Sequence, residues 1–160
     1  MDRRLRSDMA AKSYCVSRPG TVRRMADPRS PDVVTDLTLV IPATNDHIRF
    51  ARLMASAVGT RLGFDYDGIE DLRIAISELC TSVTEGASNG GPLTLTYRGD
   101  AIGVHITGHH VLEPNSSAPP ELGELSLQVL EAVAAEHTFE TSAAEVRFAL
   151  VVRAATPPAP

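Results

Sequence analysis

The sequence has few aromatic residues and few cysteines. Its 160 residues include no tryptophan, three tyrosines, four phenylalanines and two cysteines. We therefore expect an aliphatic core and no stacking platform for single-stranded nucleic acid, because such a platform requires exposed rings. Cys15 and Cys80 are too few for a disulfide framework or a cysteine-based zinc site, and this usage is typical of a reducing compartment.

Long apolar runs are also missing. No stretch approaches the roughly 20 apolar residues needed to cross a bilayer. The N-terminal arginines are not followed by the apolar segment of a secretory signal. The sequence therefore predicts a soluble, cytoplasmic protein with no membrane partner. Its length and its hydrophobic fraction of 43 % fit one ordinary domain.

Basic side chains are concentrated at the N-terminus. Residues 1–31 carry eight basic and three acidic side chains, a net charge of +5, whereas the rest of the chain carries seven basic and 17 acidic, a net charge of −10. Prolines, glycines and the lack of an apolar period predict that residues 1–33 form a disordered basic extension, and residues 154–160 a second disordered tail. The acidic body argues against direct DNA binding, since phosphate contacts supply most of that affinity.

Residues 34–153 show the apolar periodicities of one α+β domain. Alternation predicts strands over 35–43, 93–98, 101–107, 137–141 and 145–152. Helical spacing predicts helices over 45–62, 69–85 and 125–135. A two-layer α/β sandwich, with the helices on one face of a mostly antiparallel sheet, is the economical arrangement of these elements.

Several details of these elements are predicted from single residues. Asp67 is a candidate N-cap of the second helix, and Cys80 is expected to be a small core residue on it. In the first helix Phe50, Leu53 and Met54 widen the buried stripe. The third helix is expected to turn four residues inward: Leu125, Val129, Leu130 and Val133. Residues 109–120 are expected to form a long functional loop, and the histidines at 105, 109 and 110 are not expected to bind metal.

Three strings in the sequence together resemble a known family. They are IPATNDHIRFAR at 41–52, DLRIAISELCTS at 71–82 and LSLQVLEAVA at 125–134. They are similar to segments of the bacterial anti-sigma factors and switch-protein serine kinases of the RsbW and SpoIIAB type, which belong to the GHKL, or Bergerat-fold, ATPase superfamily. The resemblance covers about residues 35–153. It implies the Bergerat fold, a homodimer, capture of a sigma factor, and release by a competing anti-anti-sigma protein of the STAS type.

The nucleotide positions that the resemblance implies depart from the family pattern. Glu78 matches the glutamate that activates the attacking hydroxyl, but Ser82 stands where the family has an asparagine that holds magnesium. The aspartate that accepts a hydrogen bond from the adenine amino group falls on Gly108. Gly123 remains of the glycine-rich phosphate loop, and Glu124 and Ser126 replace its other glycines.

These changes predict that kinase activity has been lost. Gly108 has no acceptor, and a carboxylate at 124 repels phosphate at short range. Glu78 is then an inactive catalytic residue. We expect no metal and no cofactor, with ATP and magnesium bound only if the altered site is still competent.

Sequestration of a partner does not depend on the nucleotide. Arg52 matches the first-helix arginine that the resemblance places at the surface shared by sigma and anti-anti-sigma proteins. Arg49 lies three residues before it, off the apolar stripe, and both can face a partner together with His47. The same arginines also fit a merely solvated basic face. Two alternatives stay open: an active ATP-dependent serine kinase of an anti-anti-sigma protein, and a regulatory scaffold that binds no sigma factor.

Overall fold

The computed structural model describes residues 35–87, 90–113 and 119–154, and these contain five strands and three α-helices. The strands are β1 (Thr35–Pro42), β2 (Pro92–Gly99), β3 (Gly103–Val111), β4 (Glu136–Thr141) and β5 (Glu145–Arg153). They form one antiparallel sheet in the order β1-β2-β3-β5-β4. The helices are α1 (Ile48–Arg61), which follows a 3-10 turn at Asn45–His47, α2 (Tyr66–Gly86) and α3 (Glu124–Val133).

Strand alternation gives the sheet one buried and one open face, here called the inner and outer faces. On β5 every second residue from Val146 to Val152 is buried, as the alternation predicts. α1 approaches the inner face closely because Ala51 and Ala55 are fully buried, and the Tyr97 hydroxyl on β2 donates to the Ala51 carbonyl at 3.0 Å. The predicted α+β class and antiparallel sheet are confirmed.

The regular stripe of α2 is also confirmed. Its predicted core residues are fully or almost fully buried: Leu72, Ala75, Ile76, Leu79 and Val83. Cys80 is buried beside them, as expected. The predicted cap was wrong: α2 begins at Tyr66, and the Asp65 carboxylate accepts the Gly68 amide at 2.9 Å, so that Asp67 lies inside the first turn.

Two other elements differ from the prediction. β3 continues to Val111, so residues 109–111 belong to a strand rather than a loop, because β2 and β5 pair with β3 on both sides of His110. In α3 only Leu130 is fully buried, and Leu125 is 73 % exposed. The reason is that only a narrow strip of the α3 surface contacts α2. Val129 and Val133 are half-buried.

The predicted tails at 1–33 and 154–160 lie outside the described residues, apart from Ala154. Its amide donates to the Ile102 carbonyl at 3.3 Å and so continues the last strand by one residue. Within the described ranges, no helix has both the length and the apolar composition to span a membrane.

Candidate functional site

Glu78 and Ser82 lie one turn apart on α2, as the helical spacing predicts. Ser82 is only 5 % exposed, and its hydroxyl donates to the Glu78 backbone carbonyl at 3.0 Å. A serine that bonds back to the preceding turn has its only donor occupied within the helix. The Ser82 hydroxyl proton is therefore used within α2, whereas the lone pairs of its oxygen have no such partner in that bond.

The Glu78 carboxylate has a partner on another helix. The Ser126 hydroxyl of α3 donates to Glu78 Oε2 at 2.8 Å. The structure thus joins two positions that the resemblance places in different nucleotide boxes, and it joins them directly, side chain to side chain. The family comparison alone gave no reason to expect this contact, because the family has glycine where this chain has Ser126.

Gly108 lies on the inner face of β3, paired with Leu95 on β2 and Phe148 on β5. A Cβ added at Gly108 would lie 2.2 Å from atoms of the Phe148 ring. The space beside the backbone is therefore filled by an aromatic ring. No side chain with a hydrogen-bond acceptor fits at this position unless that ring moves.

His110 lies two residues further along the same face and is 1 % exposed. Its Nδ1 is 3.0 Å from the Pro92 carbonyl oxygen, which can only accept, so Nδ1 carries a hydrogen and donates it. Nε2 has no hydrogen-bond partner among the described residues. A bulky imidazole thus occupies the core beside Gly108.

Gly123 is the N-cap of α3 and is exposed, with open space around an added Cβ. A cavity of about 960 Å³ beside the start of α3 is lined by none of the four residues that the resemblance assigns to nucleotide binding. A shallower one of about 460 Å³ includes Gly108 but runs along the outer face, past Thr94 and Thr107.

The exposed side of α1 combines basic and apolar groups. The Arg49 guanidinium lies 5.0 Å from the centre of the Phe50 ring, and the centre of the His47 ring lies 6.0 Å from the same point. Arg52 is exposed, and Leu53 is 65 % exposed. The helix contains no acidic residue, and among the described residues neither arginine forms an ion pair.

We call Arg49, Phe50, Arg52 and Leu53 the α1 surface. The sequence prediction that Phe50 and Leu53 widen the buried stripe was wrong, because the alanines at 51 and 55 already fill the narrow space between α1 and the sheet. Two arginines beside exposed apolar side chains are typical of a protein-binding surface.

The histidine cluster is divided between the two faces of the sheet. On the outer face, His105 Nε2 lies 3.1 Å from Asp100 Oδ2, and His109 Nε2 lies 2.9 Å from Glu145 Oε2. Hydrogen bonds from the Ile102 amide and from His105 lower the Asp100 pKa, and those from Arg147 and His109 lower the Glu145 pKa. Among the described residues, no three potential ligand side chains converge on one point.

The fold is shared with part of a solved structure. The crystal structure of the RsbU and RsbW domains of a Mycobacterium tuberculosis protein matches 77 % of this chain and 33 % of that chain, with a TM-score of 0.59 and 21 % sequence identity. This likeness shows a common fold.

Sequence comparison finds relatives over a shorter stretch. A serine-protein kinase RsbW from Halalkalibacterium halodurans is 37 % identical over 62 residues, which are 38 % of this chain and 38 % of that protein. The protein of the same name from Bacillus velezensis is 43 % identical over 53 residues, 33 % of each chain. The chain thus matches well under two thirds of the length of these relatives, and no family model matches it. The partial matches support the resemblance to RsbW-type proteins.

Proposed function

We propose that this protein is an anti-sigma factor that sequesters an alternative sigma factor of RNA polymerase, is released by an anti-anti-sigma STAS protein, and has no kinase activity. The observation that carries the proposal is the hydrogen bond from Ser126 to Glu78. It engages one oxygen of the carboxylate that a kinase would use as its base, whereas no described residue pairs with the arginines of the α1 surface.

Three further features support the loss of nucleotide chemistry. The Phe148 ring fills the space beside Gly108, Ser82 is only 5 % exposed, and Glu124 places an exposed carboxylate in the first turn of α3. Phosphate binds at helix N-termini through free amides and a favourable dipole, and a carboxylate in the same turn competes for both.

The α1 surface supports partner capture. Arginine is favoured at interfaces because its planar group donates several hydrogen bonds to carboxylates, and a neighbouring apolar side chain such as Leu53 supplies area removed from water. We expect the partner to present acidic and apolar groups together. A homodimer is part of the proposal, with the α1 surface of each copy available.

Nucleotide binding tests the loss of activity. Isothermal titration of the full chain with ATP and Mg²⁺ is expected to give no binding heat, and incubation with a STAS protein and labelled ATP is expected to give no phosphoprotein. Micromolar ATP binding, or transfer of label, would contradict the proposal. It would favour the second candidate, an active serine kinase, which the names of the relatives support.

Arg52→Ala tests the partner surface. Capture of the sigma factor is expected to weaken at least about tenfold, as for a central interface arginine, when measured by surface plasmon resonance against the protein's native sigma partner. Arg61→Ala is the matched control, because Arg61 is an exposed arginine in the last turn of the same helix. Equal capture of the sigma factor by the two variants would show that the α1 surface does not bind it. Retention of another regulator instead of a sigma factor would favour the scaffold.

A further inference from the structure

β4 lies at one edge of the sheet, and no other described strand pairs with its outer side. The Ser142 amide donates to the Glu145 carbonyl, which fixes the phase of the ladder between β4 and β5. Alternate residues of β4 then bond to β5, and the amides and carbonyls of His137, Phe139 and Thr141 point away from the sheet. Among the described residues no backbone hydrogen bond reaches these groups.

A groove runs along this edge. It is the cavity of about 960 Å³, bounded by β4, by the first turns of α3 and by the segment that precedes this helix; we call it the β4 groove. Leu122, Leu127 and Phe139 line it with apolar side chains that are only partly covered. The groove has this apolar floor because α3 packs toward α2, where Ser126 meets Glu78, and leaves the inner side of β4 open.

The surroundings of the groove are acidic. Glu113 and Glu121 line it and are exposed, and no lysine or arginine lines it. Between Arg98 and Arg147 the sequence contains eight acidic residues and no lysine or arginine. The arginines of β5 project from the outer face, where Arg147 pairs with Glu145 and so leaves the charge of the groove uncompensated.

We propose that the β4 groove binds an extended segment of a partner protein, added as a sixth strand beside β4, with apolar residues at every second position and lysine or arginine between them. Backbone hydrogen bonds to an open edge provide affinity, and the alternating side chains provide specificity. The apolar residues would contact Leu122, Leu127 and Phe139, and the basic residues would lie near Glu113 and Glu121. This site is separate from the α1 surface and does not depend on the proposed function.

A synthetic peptide tests the proposal. The probe is a fluorescein-labelled peptide of about eight residues, a typical strand length, that alternates valine and lysine, and the control alternates valine and glutamate. Anisotropy with the full chain is expected to show saturable binding of the lysine peptide, weakened by salt, and at least about tenfold weaker binding of the glutamate peptide. Equal binding of the two, or no binding of the lysine peptide up to about 1 mM, would overturn the proposal.

Paired variants test the edge and the charge separately. His137→Pro removes an outward amide without removing a bond to β5, and His137→Ala removes the same side chain but keeps the amide. Binding is expected to fall at least about fivefold in His137→Pro relative to His137→Ala. The double variant Glu113→Gln, Glu121→Gln is expected to bind about three- to tenfold more weakly and with less salt dependence. Asp36→Asn, at the opposite edge, is the charge control and should bind like the unchanged protein.

Two results would contradict the proposal that a separate partner adds a strand beside β4. Equal binding by the two His137 variants, both folded by circular dichroism, would exclude strand addition. If the glutamine double variant lowers the sedimentation coefficient of the protein, the groove belongs to a second copy of the chain, and the proposal of a separate partner fails.

Discussion

At the residue scale, Gly108 has two consequences that come from one missing Cβ. It removes the acceptor that the resemblance requires, and it admits the Phe148 ring to the inner face. A side chain fits at this position only if the core around the Phe148 ring is repacked.

Gly108→Ala is expected to lower the free energy of unfolding by about 1–3 kcal/mol, because the new methyl group meets the ring. Urea denaturation measures the change. Gly123→Ser is the control, since its side chain enters open space at a helix N-cap and should cause no loss. Phe148→Leu should reduce the cost of Gly108→Ala, and an equal cost in both backgrounds would show that the ring is not the obstacle.

The buried thiol of Cys80 makes the stability of the fold depend on pH in the alkaline range. Burial raises the pKa of this thiol from 9.0 to about 12, and burial also raises the pKa of Tyr97. Between pH 9 and pH 12 the unfolded chain therefore loses a proton from Cys80 that the folded chain retains. Stability is complete below pH 9 and falls as the pH rises, by up to about 4 kcal/mol at pH 12 for the thiol.

Urea denaturation between pH 8 and 11 measures how the free energy of unfolding falls with pH. Cys80→Ala is expected to lower stability at pH 8 through lost packing, but to show a shallower decline with pH, with Tyr97 responsible for the remainder. If the free energy of unfolding fell equally steeply with pH in Cys80→Ala and in the unchanged protein, Cys80 would not be the source of the pH dependence.

At the element scale, α3 depends on one buried residue and one hydrogen bond. Leu130 is the only fully buried residue of this helix, and Ser126 connects it to α2. Ser126→Ala is expected to cost about 1 kcal/mol and to increase amide exchange in α3 more than in α2. Hydrogen exchange with mass spectrometry measures both helices at once. Ser77→Ala, which removes a hydroxyl bonded only to its own helix, is the control. Equal protection of α3 with and without the Ser126 hydroxyl would show that this hydrogen bond does not stabilise the helix.

The same element shows what the sequence could and could not predict. The stripe of α2 follows from helical spacing, because one side of this helix is buried from Leu72 to Val83. The spacing of α3 looks equally regular, but the position of α2 decides which side is buried, and Leu125 is left in solvent. The end of β3 depends on pairing with residues more than 30 positions away. The contact between Ser126 and Glu78 depends on how two helices pack, which local patterns do not encode.

At the scale of the whole molecule, charge is divided between the two edges of the sheet. α1 lies over β1 and β2 and carries only basic charged side chains, whereas the β4 groove at the other edge is acidic. The strand order places β1 and β4 at opposite edges. The composition gives the net charge of residues 32–160. Only the topology shows that the basic side chains of α1 and the acidic ones of the β4 groove lie at opposite edges of the sheet.

This charge distribution predicts that the full chain binds DNA weakly. The short basic face of α1 offers few phosphate contacts, and residues 32–160 carry a net charge of −10 that repels a duplex. Non-specific DNA binding by proteins with many such contacts reaches dissociation constants of about 1–100 µM at physiological salt. We expect this protein to bind a labelled duplex more weakly than about 100 µM under those conditions. Micromolar binding with a steep salt dependence would contradict the expectation and would direct attention to the basic residues 1–31.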